Sequence, residues 1–102
     1  MTLTAREKKE FRQIAHHLDV VVMIADQGVS EGVIAEAERA LTDHELIKVK
    51  VALNDREARY AAAAALAHAC QAEVVQNIGK VSVLYRRNPQ ANPRLSNLSR
   101  YR

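Results

Sequence analysis

The chain has 102 residues, 48% of them apolar, and a formal net charge of +3. That length suits one domain around one modest core. No run of about 18 apolar residues occurs, which argues against a membrane span, and the single cysteine, Cys70, rules out an internal disulfide and a cysteine-rich zinc site.

The first residues, Met1 to Arg6, lead straight into a charged helical pattern. They lack the apolar core and small-residue cleavage site of a secretory signal, so a reducing cytoplasm is the expected compartment. Thr4-Ala5-Arg6-Glu7 fits a capping box, and a helix follows to about His17. Phe11, Ile14, Ala15 and Leu18 form its buried stripe, with Lys9, Arg12, Gln13 and His16 on the other side. Val20 to Ile24 is a continuous apolar run, the pattern of a strand covered on both faces or central in a sheet. Ala25-Asp26-Gln27-Gly28 is a loop, and Ser30 caps a second helix to about Leu41. A second strand runs from about Leu46 to Leu53. There Ile47, Val49 and Val51 alternate with Lys48 and Lys50, so the two lysines share the face opposite the core.

Asn54, with Glu57 three residues on, offers the cap of a third helix. Its expected stripe is Ala58, Ala62, Ala65, Leu66 and Ala69. Glu73 to Ile78 and Val81 to Tyr85 read as two strands joined by a short Gly79-Lys80 turn. From Asn88 onward the chain carries two Asn-Pro pairs and no periodicity. Residues 1–87 are therefore read as one domain and 88–102 as a basic, mobile tail. The expected order is αβαβαββ: an α/β (α+β) domain with a four-stranded mixed sheet and three helices.

Charge is unevenly placed. Residues 1–78 hold 9 Lys and Arg against 12 Asp and Glu, whereas residues 79–102 hold 6 basic residues and no acidic one. A basic end on a mildly acidic body points to a localised anionic partner. No nucleophile elbow, phosphate loop or dinucleotide glycine pattern is present. His16, His17, His44 and His68 lack the i, i+4 spacing of a helical metal site, so neither a metal nor a cofactor is expected. Tyr85 is the only aromatic residue on a strand. Base stacking across the sheet is therefore not expected, and contacts to the backbone of a nucleic acid are.

Ala15-His16-His17-Leu18, the strand through Ile24, Gly28 with Glu31-Gly32-Val33, His44 through Lys50, and Ile78-Gly79 through Arg86 together resemble the bacterial YhbY proteins. These are stand-alone CRM domains, named for chloroplast RNA splicing and ribosome maturation. The resemblance spans about residues 3–87. It implies a fold similar to the C-terminal domain of translation initiation factor three, and association with ribosomal RNA of precursor large subunits. The family usually carries a Gly-x-x-Gly loop after the first strand, similar to the KH-domain loop that clamps a nucleic-acid backbone. Here the loop reads Ala25-Asp26-Gln27-Gly28, with alanine at the first glycine position and an acidic residue beside it.

The expected function is thus RNA binding by a non-catalytic ribosome assembly factor, with no membrane and no small-molecule substrate. Lys9, Arg12 and His16 would form one part of the surface, Gln27 and Gly28 another. Lys48, Lys50, Lys80, Arg86 and Arg87 would add phosphate contacts. The rival reading is a protein-interaction module that docks on a ribosomal protein or assembly factor.

Overall fold

The computed structural model describes residues 3–101. Met1 and Thr2 of the charged lead-in and Arg102 of the basic tail lie outside the described residues. Helix α1 (Ala5–Ala15) starts at the expected capping box. Thr4 Oγ1 accepts from the Glu7 amide at 3.1 Å, and Glu7 Oε1 accepts from the Thr4 amide at 3.0 Å. Strand β1 (Val20–Ile24) follows, then α2 (Glu31–His44), capped by Ser30 Oγ on the Val33 amide at 3.2 Å. Next come β2 (Leu46–Val51), α3 (Arg56–Ala69), the hairpin of β3 (Glu73–Ile78) and β4 (Val81–Tyr85), and a short α4 (Asn97–Tyr101). The αβαβαββ order stands, with one further helical turn beyond it.

The four strands form one mixed sheet in the order β1-β2-β4-β3. β2 pairs parallel with β1 and antiparallel with β4, and β3 pairs antiparallel with β4. Helices α2 and α3 cover one face. Ile47, Val49 and Val51 of β2 enter that core with Ile24, Leu41, Leu66 and Leu84. Helices α1 and α4 cover part of the opposite face, where Phe11, Ile14 and Leu98 meet Leu46, Val75 and Val83. Phe11 is almost completely buried, which is worth roughly 1.5–3 kcal/mol for a side chain of this size.

Three sequence readings are corrected. β1 is an edge strand, not a central or doubly covered one. Val22 and Ile24 are buried, but Val21 is 48% and Met23 55% exposed, because α1 does not reach across to β1. In α3 the cap is Asp55, whose Oδ2 accepts from the Ala58 amide at 2.9 Å, and not Asn54. Its buried stripe is Ala63, Leu66 and Ala67, continued by Cys70. An alanine-rich sequence has no periodicity of its own, so the larger Leu66 sets which side turns inward.

The third correction concerns the tail, which is packed against the domain. Asn88 Nδ2 donates to the Thr42 carbonyl and its amide to Glu45 Oε2, both at 2.8 Å. His44 Nδ1 donates to the Leu95 carbonyl at 2.7 Å. Ser96 Oγ donates to Glu45 Oε1 at 2.8 Å, and Asn97 Nδ2 to the Leu46 carbonyl at 2.6 Å. The asparagines and serine that read as solvated loop are instead partners for polar groups of the body.

Ser96 and Glu45 are both buried. Ser96→Ala removes one donor from a buried carboxylate, and the cost of such an unmade bond is about 1–3 kcal/mol. Thermal melting should show that loss, while the exposed Ser99→Ala should melt like the wild type. Equal melting of both variants would contradict the anchoring role of Ser96.

Candidate nucleic-acid interface

The register of β2 creates the site. Leu46, Lys48 and Lys50 stand on the face that carries α1, opposite Ile47, Val49 and Val51. Leu46 is covered by α1 and α4. Beyond the edge of α1 the sheet is open, so Lys48 is half-buried and Lys50 exposed. Their cross-strand partners are Val83 and Val81 on β4. On the other side, Lys50 pairs with Met23 of β1.

A groove of about 240 Å³ separates α1 from the sheet. Arg12, Ala15 and His16 form its helical wall, and Lys48, Gln76, Ile78, Val81 and Val83 its floor. Arg12 and His16 are one helical turn apart and therefore lie on one side of α1. Lys9, exposed, stands one turn earlier on the same stripe. The expected residues Arg12, His16 and Lys48 are thus brought together, with Lys50 next on the same strand face. Around them lie exposed aliphatic side chains: Val21, Met23 and Ile78, the last 56% exposed.

Lys80 sits in the β3–β4 turn at the far end of this face. Its Nζ donates to Asn54 Oδ1 at 3.2 Å, and its carbonyl accepts from the Val51 amide. The loop after β1 lies at the same end, since the Ala52 amide donates to the Ile24 carbonyl. Ala25 to Gly28 is a turn closed by the Gly28 amide on the Ala25 carbonyl at 2.8 Å. Gly28 has φ +73°, whereas Ala25 has no positive φ. Alanine is therefore unstrained at the first loop position. Gln27 and Asp26 are both exposed.

Two expected contacts lie elsewhere. Arg86 faces α2 and α3, and its guanidinium is engaged inside the fold. Nη1 meets Glu38 Oε2 at 2.8 Å and the Cys70 carbonyl at 2.9 Å; Nη2 meets Thr42 Oγ1 at 3.0 Å and the Glu38 carbonyl at 3.2 Å. A phosphate would have to displace these bonds, so Arg86 is a staple between β4 and the two helices. Arg87 is exposed at the opposite end of the sheet from Lys80, near Tyr85 and His68. Tyr85 is half-buried and turned to Phe11, with ring centroids 4.7 Å apart.

The aliphatic rim is hidden in the sequence, because the all-apolar run of β1 has the pattern of a buried strand. Its signal was present in the order of elements: the two crossover helices of β1-α2-β2-α3 cover one face, which leaves only α1 for the other. No group of three or more His, Cys, Asp or Glu among the described residues could hold a metal ion. Cys70 is buried, and burial together with the adjacent Glu38 carboxylate pushes its thiol up to about 11. Such a thiol is a poor nucleophile at neutral pH.

A family model described as the CRS1/YhbY (CRM) domain matches residues 3–86. The Probable RNA-binding protein PA4753 of Pseudomonas aeruginosa is 50% identical over 101 residues, covering 99% of this chain and 97% of that protein. An RNA-binding protein of Haemophilus influenzae is 46% identical, covering 92% and 95%. Among solved structures, the solution structure of SAV1595 from Staphylococcus aureus superposes with a TM-score of 0.79 at 33% identity, over 89% of this chain and 95% of that one.

Two measurements check the local geometry. The Cys70 thiol rises from 9.0 to about 11 on folding, so its contribution to stability is intact below pH 9 and is lost as pH climbs through 11. The wild type should lose melting temperature across that window more steeply than Cys70→Ala; parallel curves would refute the shift. At the loop, an added Cβ on Gly28 meets no atom within 4 Å, so Gly28→Val costs only backbone strain, about 1–2 kcal/mol. Ala25→Gly relieves no strain and should cost about 0.4–1 kcal/mol through the unfolded chain. A stabilising Ala25→Gly would show that the loop is strained after all.

Proposed function

Because this chain belongs to the CRS1/YhbY (CRM) domain family, we propose that it binds RNA across the open face of its sheet. The observation that carries this reading is the groove in which Arg12 and His16 of α1 face Lys48 of β2, with Lys50 beside it. Cations there meet phosphates, and the aliphatic rim of Met23, Val21 and Ile78 packs against sugars and bases. Lys80 and the Gln27-Gly28 turn extend the footprint at the far end. We propose further that the RNA is ribosomal RNA of precursor large subunits, and that the protein acts there without catalysis as an assembly factor.

Arg12, Lys48, Lys50 and Lys80 together suit a footprint of about four phosphates, for which log K falls against log salt with a slope of roughly −3 to −4. The double variant Lys48→Ala, Lys50→Ala should bind more weakly and flatten that slope by roughly 1.5 to 2. Its stability should change by only about 0.5 kcal/mol, since Lys50 is exposed and the half-buried Lys48 loses only the packing of its stem. Affinity insensitive to salt between about 50 and 200 mM would refute phosphate recognition, and salt-insensitive capture of a ribosomal protein would favour the docking-module reading. Cosedimentation with precursor but not mature large subunits tests the ribosomal assignment separately.

A further inference from the structure

A second surface lies on the other side of the α1 C-terminus. His17 follows His16 directly, and its imidazole stacks on the ring of Tyr101 from α4, with centroids 5.5 Å apart and planes only 7° from parallel. The Arg100 guanidinium lies 5.4 Å from the centroid of the Tyr101 ring. Both rings are solvent-exposed, Tyr101 to 39%. Shallow recesses flank the pair: one is bordered by Glu10 and Gln13 of α1, the other by Asp19, Val21 and His44. Val21 also belongs to the exposed aliphatic rim of the sheet.

We propose that His17 and Tyr101 form a stacking platform for an unpaired base of the RNA strand whose phosphates lie in the Arg12–His16–Lys48 groove. This rests on the RNA-binding reading above. The argument has three parts. Parallel exposed rings with an adjacent guanidinium are the side-chain arrangement on which bases stack, and such stacking is tolerant of base identity. The recess bordered by Glu10 has no lysine or arginine in its lining and disfavours a phosphate, while the other sets Asp19 beside Arg100 and His44 and suits the polar edge of a base. Adjacent residues of one helix end, His16 and His17, border the phosphate groove and the platform respectively, so one strand can reach both. The base must leave its own stack to reach the rings, so the platform selects single-stranded or looped RNA over a duplex. Tyr101 and Arg100 lie beyond the residues 3–86 matched by the family model, and the platform exists only because the C-terminal segment is packed against α1.

The test compares a ten-nucleotide adenine-rich single strand with the same strand annealed to its complement. Tyr101→Ala should weaken binding of the single strand by roughly 5- to 100-fold and leave the duplex within about twofold. Tyr101→Phe should bind like the wild type, whereas Tyr101→Leu, which keeps apolar bulk to seat α4, should show the loss. In the unmodified protein, saturation with the single strand should move the ring protons of His17 and Tyr101 upfield. Unmoved ring protons at saturation, or Tyr101→Leu binding the single strand like the wild type, overturn the platform. If Lys48→Ala, Lys50→Ala still weakens binding and flattens its salt dependence in that case, the RNA-binding reading survives. Failure of the wild type to bind either RNA overturns both.

Discussion

The structure turns on the backbone and carboxylate of Glu45. It joins α2 to β2 in a single residue, with φ 61° and ψ −44°, a region that costs a non-glycine residue on the order of 1–3 kcal/mol. Four hydrogen bonds hold it there. Its amide donates to the Leu41 carbonyl, and its own carbonyl accepts from the Arg86 amide, both at 2.9 Å. Its carboxylate accepts from the Asn88 amide and the Ser96 hydroxyl, both at 2.8 Å. Because the turn is completed within one residue, Leu46 enters the sheet facing α1, and every later side chain of β2 follows in alternation. A strand that slips by one residue exchanges its two faces. With the parity set at Glu45, Lys48 and Lys50 are on the open face and Ile47, Val49 and Val51 are under the helices.

The same joint explains why the cations divide into two kinds. Arg86 lies next to it, paired with the Glu38 carboxylate and bonded to three further groups at α2 and the end of α3. Planar guanidinium donors suit that enclosed, many-partnered position. Lys48 and Lys50, by contrast, have compact charges on flexible stems beside apolar neighbours, and such stems can lie along a surface while the ammonium stays wet. Basic residues on or beside neighbouring strands thus have opposite roles. A ledger of net charge cannot separate them; the sheet face can.

Much of the fold could be read from local pattern. The capping box at Thr4, the cap at Ser30, the two-residue Gly79-Lys80 turn and the alternation of β2 are short-range signals, and each has its expected geometry. The errors came where the outcome depends on distant residues. Val20 to Ile24 reads as buried because all five side chains are apolar, yet whether Met23 is covered depends on the length and angle of α1. The tail reads as solvated because Asn88, Ser96 and Asn97 are polar, yet their partners are a strained Glu45 and the carbonyls of Thr42 and Leu46, some 43 to 51 residues away. The site was half legible. The sequence marks Arg12 and His16 as one part of a surface and Lys48 and Lys50 among further contacts; the structure brings these four to one face, whereas Arg86, grouped with the lysines on charge alone, faces α2 and α3.

The exposed edge of β1 now has a physical rationale. An unpaired edge with Val20, Val21 and Met23 exposed invites pairing with another strand. Here the β1–β2 register shifts between Val20 and Val22, and an irregularity of this kind bends the edge out of a regular ladder. Val21, at that irregularity, is also the residue that connects the sheet rim to the recess beside His17 and Tyr101. A protein partner adding a strand would need a straight edge. An RNA strand needs instead a path of cations with apolar surface alongside, and it tolerates a bent one. The distortion of β1, the half-buried Lys48 and the partial cover of the sheet by α1 therefore favour the same kind of partner, because each keeps the face accessible to a flexible polyanion and poorly shaped for a second sheet.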